Sequence, residues 1–108
     1  MTDAILVMVT APTADKAAEI ARVLVEEGLA ACGNVVPGLR SIYRWEGQVH
    51  DEPEALLILK TRAPLFEALR ARVVEVHPYQ CPEVLRLDVA EGHAPYLKWI
   101  GDNVRPGP

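Results

Sequence analysis

Apolar positions along this chain fall in runs whose period changes, and each change marks a structural element. Ala4 to Thr10 (A-I-L-V-M-V-T) is an unbroken apolar and β-branched run that stops before Pro12. Such a run predicts a central strand covered on both faces, or on one face with a partner against the other. From Ala14 to Glu27 the period lengthens to that of a helix, with Ala17, Ile20, Ala21, Leu24 and Val25 on one side. Thr13 is placed to cap this helix, Asp15 falls in its first turn, and Gly28 is expected to end it. The alanines on its inner face trade bulk for a close approach to a sheet.

Leu29 to Asn34 leads into Val35-Val36, and Pro37-Gly38 interrupts the run before Leu39 to Trp45. A proline there predicts a bulge or an edge strand. Ser41 to Trp45 alternates, and Glu46-Gly47-Gln48 reads as a tight turn into Val49, so the two runs form a hairpin. Glu54 to Thr61 is the best strand after the first, with Pro53 signalling a kink or edge exposure before it. Pro64 stands where a second helix can begin, its stripe being Leu65, Leu69, Val73 and Val76, and Pro78 requires it to end. Val84 to Val89 alternates with the period of a half-buried strand. Pro95 opens a short last helix through Asn103 that carries Tyr96, Trp99 and Ile100. The order βαββαβ plus a terminal helix fits an α+β, ferredoxin-like sandwich in which both main helices cover one sheet face. Strands this apolar call for a partner on the other face rather than solvent.

Composition sharpens that expectation. The 108 residues make one domain, 1–108, with the tail from 104 to 108 expected to fray. Half the residues are apolar, but only one Phe, two Trp and three Tyr supply bulk, so oligomerisation would complete a thin core. A net charge of -4 offers no field for a phosphate backbone, which argues against nucleic-acid binding. No apolar run approaches the ~20 residues of a membrane span. The stretch Thr2 to Val9 lacks the basic start and the length of a secretory leader, so the two cysteines are expected reduced in a cytoplasm.

The candidate chemistry centres on Val76 to Glu83 (V-H-P-Y-Q-C-P-E), which sets His77, Tyr79, Cys81 and Glu83 around two prolines. Pro78 and Pro82 push His77 and Cys81 into extended geometry, so the segment is a bend and not a helix face. It reads either as a rigid connector whose histidine bonds to backbone or as a ligand site. Cys32 is a small buried apolar residue or a soft ligand. If it met His77 and Cys81, the set would suit Cu(I) or Zn(II). A cysteine–histidine pair also has the parts of an enzyme, but no orienting third group is identifiable. Lys60, inside an apolar strand, must reach solvent or find an anion such as Glu83. Tyr43 and Trp45 near the hairpin tip lack the basic surroundings of an RNA platform and read as subunit anchors.

Thr10-Ala11-Pro12, Leu29-Ala30-Ala31-Cys32 with Asn34 and Pro37-Gly38, Ser41, Tyr43, Trp45-Glu46-Gly47, Lys60-Thr61, His77-Pro78-Tyr79, Pro82-Glu83 and Tyr96-Leu97 with Trp99 occur in this order. In that combination the chain from Ile5 to Asn103 resembles the CutA family of divalent-cation tolerance proteins. The resemblance implies a ferredoxin-like protomer, a homotrimer arranged like the PII regulators, a cytoplasmic role in tolerance of copper and other divalent metals, and no established enzymatic reaction. It also implies inter-subunit clefts lined by Cys32, Tyr43, Trp45, Lys60, His77, Tyr79 and Glu83. Some relatives carry cysteine where this chain has Val9 and histidine where it has Val76, so of that copper ligand set only His77 survives. A metal here, copper or another divalent cation and not an obligatory cofactor, would be held weakly and would recruit Cys32, Cys81 or neighbouring subunits. The alternatives are a PII-like sensor of a small molecule or anion, with Lys60 as its charge partner, and an enzyme using Cys81 or Cys32 with His77.

Overall fold

The computed structural model describes residues 2–108. Strand β1 (Ala4–Ala11) is followed by helix α1 (Ala14–Glu26), strands β2 (Cys32–Trp45) and β3 (Gln48–Arg62), and a 3-10 turn (Ala63–Leu65) that runs into helix α2 (Phe66–Val76). Strand β4 (Leu85–Asp88) and helix α3 (Ala94–Asp102) complete the chain. The sheet order is β2-β3-β1-β4 with every pairing antiparallel, the ferredoxin-like arrangement expected from the element order.

Local chemistry places α1 as its sequence requires. The Thr13 side chain accepts from the Lys16 N–H at 3.0 Å, satisfying a donor the helix cannot. At the other end Leu29 N–H donates to the Leu24 carbonyl and Gly28 N–H to that of Val25, a Schellman closure with Gly28 at φ +74°. Helix and sheet meet tightly at Gly33, where a Cβ would lie 2.8 Å from that of Ala21. Only glycine fits so close a crossing.

One sheet face is therefore closed. Val7, Val9, Leu57 and Leu59 are wholly buried beneath Ile20 and Leu24 of α1 and Leu69 and Val73 of α2. Residues directly opposite one another in an antiparallel pair share a face. Leu6 stands beside Lys60 and Leu87, Met8 beside Ile58 and Leu85, so these side chains and Leu56 form the helix-free face. Strand β4 departs from the half-buried reading of Val84 to Val89. Its apolar Leu85 and Leu87 point to the helix-free face and are 56% and 44% exposed, because within one protomer nothing covers them.

Strand β2 is continuous, but it carries an extra residue between Val36 and Leu39, where β3 advances only from Leu56 to Glu54. Gly38, at φ +80°, supplies the backbone this bulge needs. Because side chains alternate with period two, the extra residue inverts the faces beyond it. Tyr43 and Trp45, paired with His50 and Gln48, thereby continue the helix-free face along β3 rather than opposing it. The turn is Glu46-Gly47 alone, both at positive φ as a two-residue hairpin loop requires, and Gln48 is already paired. From Leu39 to Glu54 the hairpin pairs only with itself, and with it the molecule is elongated, 44 × 25 × 23 Å along its principal axes. The tail runs back over the body: Arg105 N–H donates to the Gly28 carbonyl at 2.8 Å, and Gly107 lies against Pro64.

Candidate functional site

The segment after α2 is built around His77. Its backbone is extended, as a residue before proline must be, and its N–H still closes the helix on the Val73 carbonyl at 2.9 Å. The imidazole Nε2 lies 2.7 Å from the Thr10 carbonyl oxygen, and Nδ1 lies 3.1 Å from the Tyr79 N–H. A carbonyl can only accept and a backbone N–H can only donate. The ring is thus the neutral tautomer with the proton on Nε2, and neither nitrogen keeps a free lone pair. It is 8% exposed.

Tyr79 extends this chain of bonds. Its ring tilts against His77 with centroids 4.7 Å apart, and its hydroxyl donates to Glu54 Oε2 at 2.6 Å. The segment is therefore tied to β1 at one end and to the base of the hairpin at the other. Between hairpin and segment opens a cleft of about 640 Å³ whose walls include Tyr43, Trp45, Glu54, Tyr79, Cys81 and Glu83. Among the described residues no basic side chain lines it. Burial, then the charge of Glu54, pushes the Glu83 carboxyl above the usual carboxylate range. Burial also raises Tyr79, reinforced by its hydrogen bond to Glu54, and raises Tyr43, with the charge of Glu52 adding to it. All three groups are shifted towards their protonated forms, first because burial strips the charged form of water and then because neighbouring carboxylates add negative charge.

Lys60 and Cys32 lie elsewhere. They face each other across β2 and β3, level with Leu6, whereas the cleft adjoins Thr10. The four residue steps from Leu6 to Thr10 along β1 span about 13 Å. Lys60 does not meet Glu83: its ammonium donates to the Tyr96 hydroxyl at 3.2 Å and stands 5.5 Å from that ring's centroid. The reason is topological, since α3 crosses the Lys60 end of the sheet and brings Tyr96, stacked on Trp99, to it. The segment carrying Glu83 passes the opposite end. Cys32 makes only a long thiol contact with Asn34 Oδ1 at 3.7 Å, and both cysteines are free.

The structure thus gathers Tyr43, Trp45, Tyr79, Cys81 and Glu83, sets His77 behind them as a support, and leaves Cys32 and Lys60 outside. Among the described residues no group of three or more His, Cys, Asp and Glu side chains is disposed to hold a metal ion. Glu54 is the member that sequence reasoning passed over. It follows Pro53 at the start of an apolar run and looks like a solvated flank until the register sets it opposite Leu39 and beneath Tyr79.

Fold and site together define a small α+β protein with one closed sheet face, one apolar open face and an acidic, aromatic-walled cleft beside it. Residues 5–103 match the family model of the CutA1 divalent ion tolerance protein, and the chain belongs to that family. It is 49% identical over 98 residues to the divalent-cation tolerance protein CutA of Thermus thermophilus, covering 91% of this chain and 95% of that protein. A CutA homolog of Xenopus laevis is also 49% identical, over 89% of this chain and 64% of the longer relative. A crystal structure of CutA1 from Oryza sativa superimposes with a TM-score of 0.92 at 41% identity, covering 96% of this chain and 95% of that one. Membership of this family makes the chain a non-enzymatic protein. Among the described residues no helix is long and apolar enough to cross a membrane.

Proposed function

We propose that this chain acts in the cytoplasm as a homotrimer of PII-like arrangement, in tolerance of or response to divalent metal ions such as copper. Family membership carries the metal half of this reading, supported by a cleft in which Glu54 and Glu83 face no basic residue. A divalent cation is drawn there by charge, with the Cys81 thiol at hand as a soft ligand. Coordination by His77 would require breaking its bond to Tyr79 or to Thr10. The assembly half rests on the open sheet face. Leu56, Ile58, Leu85 and Leu87 lie on this face with no helix over them, and Tyr43 and Trp45 share it further along the hairpin; grouped exposed apolar side chains of this kind mark an interaction surface. Strand edges at β2 and β4 are free to pair with neighbours.

Calorimetric titration of the reduced, metal-free protein with Cu(I), Cu(II) and Zn(II) in ligand-buffered solution tests the metal half. Saturable binding that weakens in Glu54→Gln and Glu83→Gln is expected. Absence of saturable binding to any of the three ions would overturn direct chelation.

A further inference from the structure

We propose that residues 104–107 form a strap that holds shut the corner where α1 passes into β2, so that undocking of the tail controls local opening at this end of the protomer. The strap is independent of the metal reading and of the assembly. Every contact it uses lies within one protomer, beside the end of β3 away from the hairpin turn.

The corner is short and closely tied. Leu29 and Ala30 N–H both donate to the Leu24 carbonyl, at 2.9 and 3.2 Å, and Ala31 N–H donates to the Lys60 carbonyl at 2.9 Å. The Leu29 carbonyl accepts from the buried Thr61 hydroxyl at 2.7 Å. At the start of the corner the Gly28 carbonyl is taken by the tail, accepting from Arg105 N–H at 2.8 Å. The end of α3 aims the tail there. Asn103 N–H donates to the Ile100 carbonyl at 3.2 Å and its side-chain amide to that of Trp99 at 2.8 Å, which fixes how the chain leaves the helix. Val104 then packs on Ala4, Ala31 and Ile100. Pro106 fixes its own φ and keeps Arg105 extended, so docking has little backbone freedom left to remove.

Glycine stands at both crossings. A Cβ on Gly28 would lie 3.2 Å from that of Arg105, and one on Gly107 would lie 2.7 Å from that of Pro64. The first spacing is tight and the second is closer than a side chain tolerates. A tail resting on the surface by chance needs no such fit. Charge agrees with it, because α1 has no basic residue in its last turn, where positive charge is favoured, and Arg105 arrives beside that end. The Glu27 carboxyl is held below its usual range first by its bonds to Arg72 and further by the charge of Arg105.

Hydrogen exchange of the full-length protein, followed amide by amide by NMR and compared with a chain ending at Asn103, tests this at a concentration where both sediment with the same mass. The amides to watch are Leu29, Ala30 and Ala31, none of which bonds to the tail. Exchange there should quicken about fivefold or more, as the loss of one net hydrogen bond dictates. His77 and Tyr79, at the far end of α2, should keep their rates. Gly107→Ala keeps the length of the chain and pushes the tail off Pro64, so it should give a smaller increase at the same three amides. Unchanged exchange there in the shortened chain would overturn the proposal and make the tail a passive covering. Equal quickening at every amide would overturn it too, because the tail would then belong to the global fold and not to a local strap. Wild-type rates in Gly107→Ala would remove the fit at Pro64 on which the strap depends.

Discussion

The two faces of the central strands are built from nearly the same residues and meet different fates. On one side Val7, Val9, Leu57 and Leu59 disappear completely beneath α1 and α2. On the other, Leu6, Met8 and Ile58, one residue along in each strand, remain half-covered beside exposed Leu85 and Leu87. What distinguishes the faces is supply: the chain has two helices long enough to cover a sheet, both crossovers put them on the same side, and α3 reaches only one end. The unbroken apolar run of β1 is the pattern of a strand buried twice. One burial is internal, and in the proposed assembly the second comes from another protomer.

The hairpin bulge joins the aromatic residues to that unclosed face, so removing it breaks the comparison most severely. Deleting Gly38 restores strict pairing and turns Tyr43 and Trp45 to the helix side. Two anchors at about 2 kcal/mol or more each are then lost from association, while the body should still fold. Sedimentation should find a folded protomer, and an undiminished assembly would show that the bulge does not aim the aromatics.

Substitution of neighbours on opposite faces sharpens the same contrast. Leu57→Ala opens a cavity under the helices and should cost about 2–5 kcal/mol of folding stability in urea unfolding, at any protein concentration. Ile58→Ala should cost less, and its loss should grow as the protein is diluted, because its burial belongs to the assembly. Equal, concentration-independent losses at both positions would mean that the open face is not an interface.

How far this was legible in the sequence differs between face and cleft. Element order, the Thr13 cap, the Gly28 stop and the Pro37-Gly38 interruption could all be read, since each rests on chemistry within a few residues. The inversion caused by the bulge could not, because it depends on register against β3, and register is a property of two strands. The alternation of Val84 to Val89 was visible, but period alone does not say which side is the core, and its leucines point away from the helices. Likewise the segment after α2 announced itself through its prolines. Its partner Glu54 and the separation of Lys60 from Glu83 are consequences of topology.

Smaller effects test single residues. Trp45→Ala should weaken association by about 2 kcal/mol, more than His50→Ala, which removes a ring paired with and stacked on Tyr43. Equal behaviour of the two variants in sedimentation would remove Trp45 as an anchor. The smallest expected effect concerns Glu83, whose folded carboxyl titrates above its unfolded value. Between those two values the folded chain binds the proton more tightly, so stability falls as pH rises through the window and stays lower above it. Glu83→Gln removes that loss. It should melt slightly higher than the wild type at pH 7, with the advantage vanishing below about pH 4. A lower melting temperature at pH 7 would mean that Glu83 has a favourable partner.

Closure of the open face by neighbouring protomers is most directly tested by sedimentation equilibrium of the unaltered protein at micromolar concentration. The account predicts a single species of three 11.9 kDa protomers. A mass of one protomer would contradict it, leaving Leu85, Leu87 and Trp45 exposed to water without a reason.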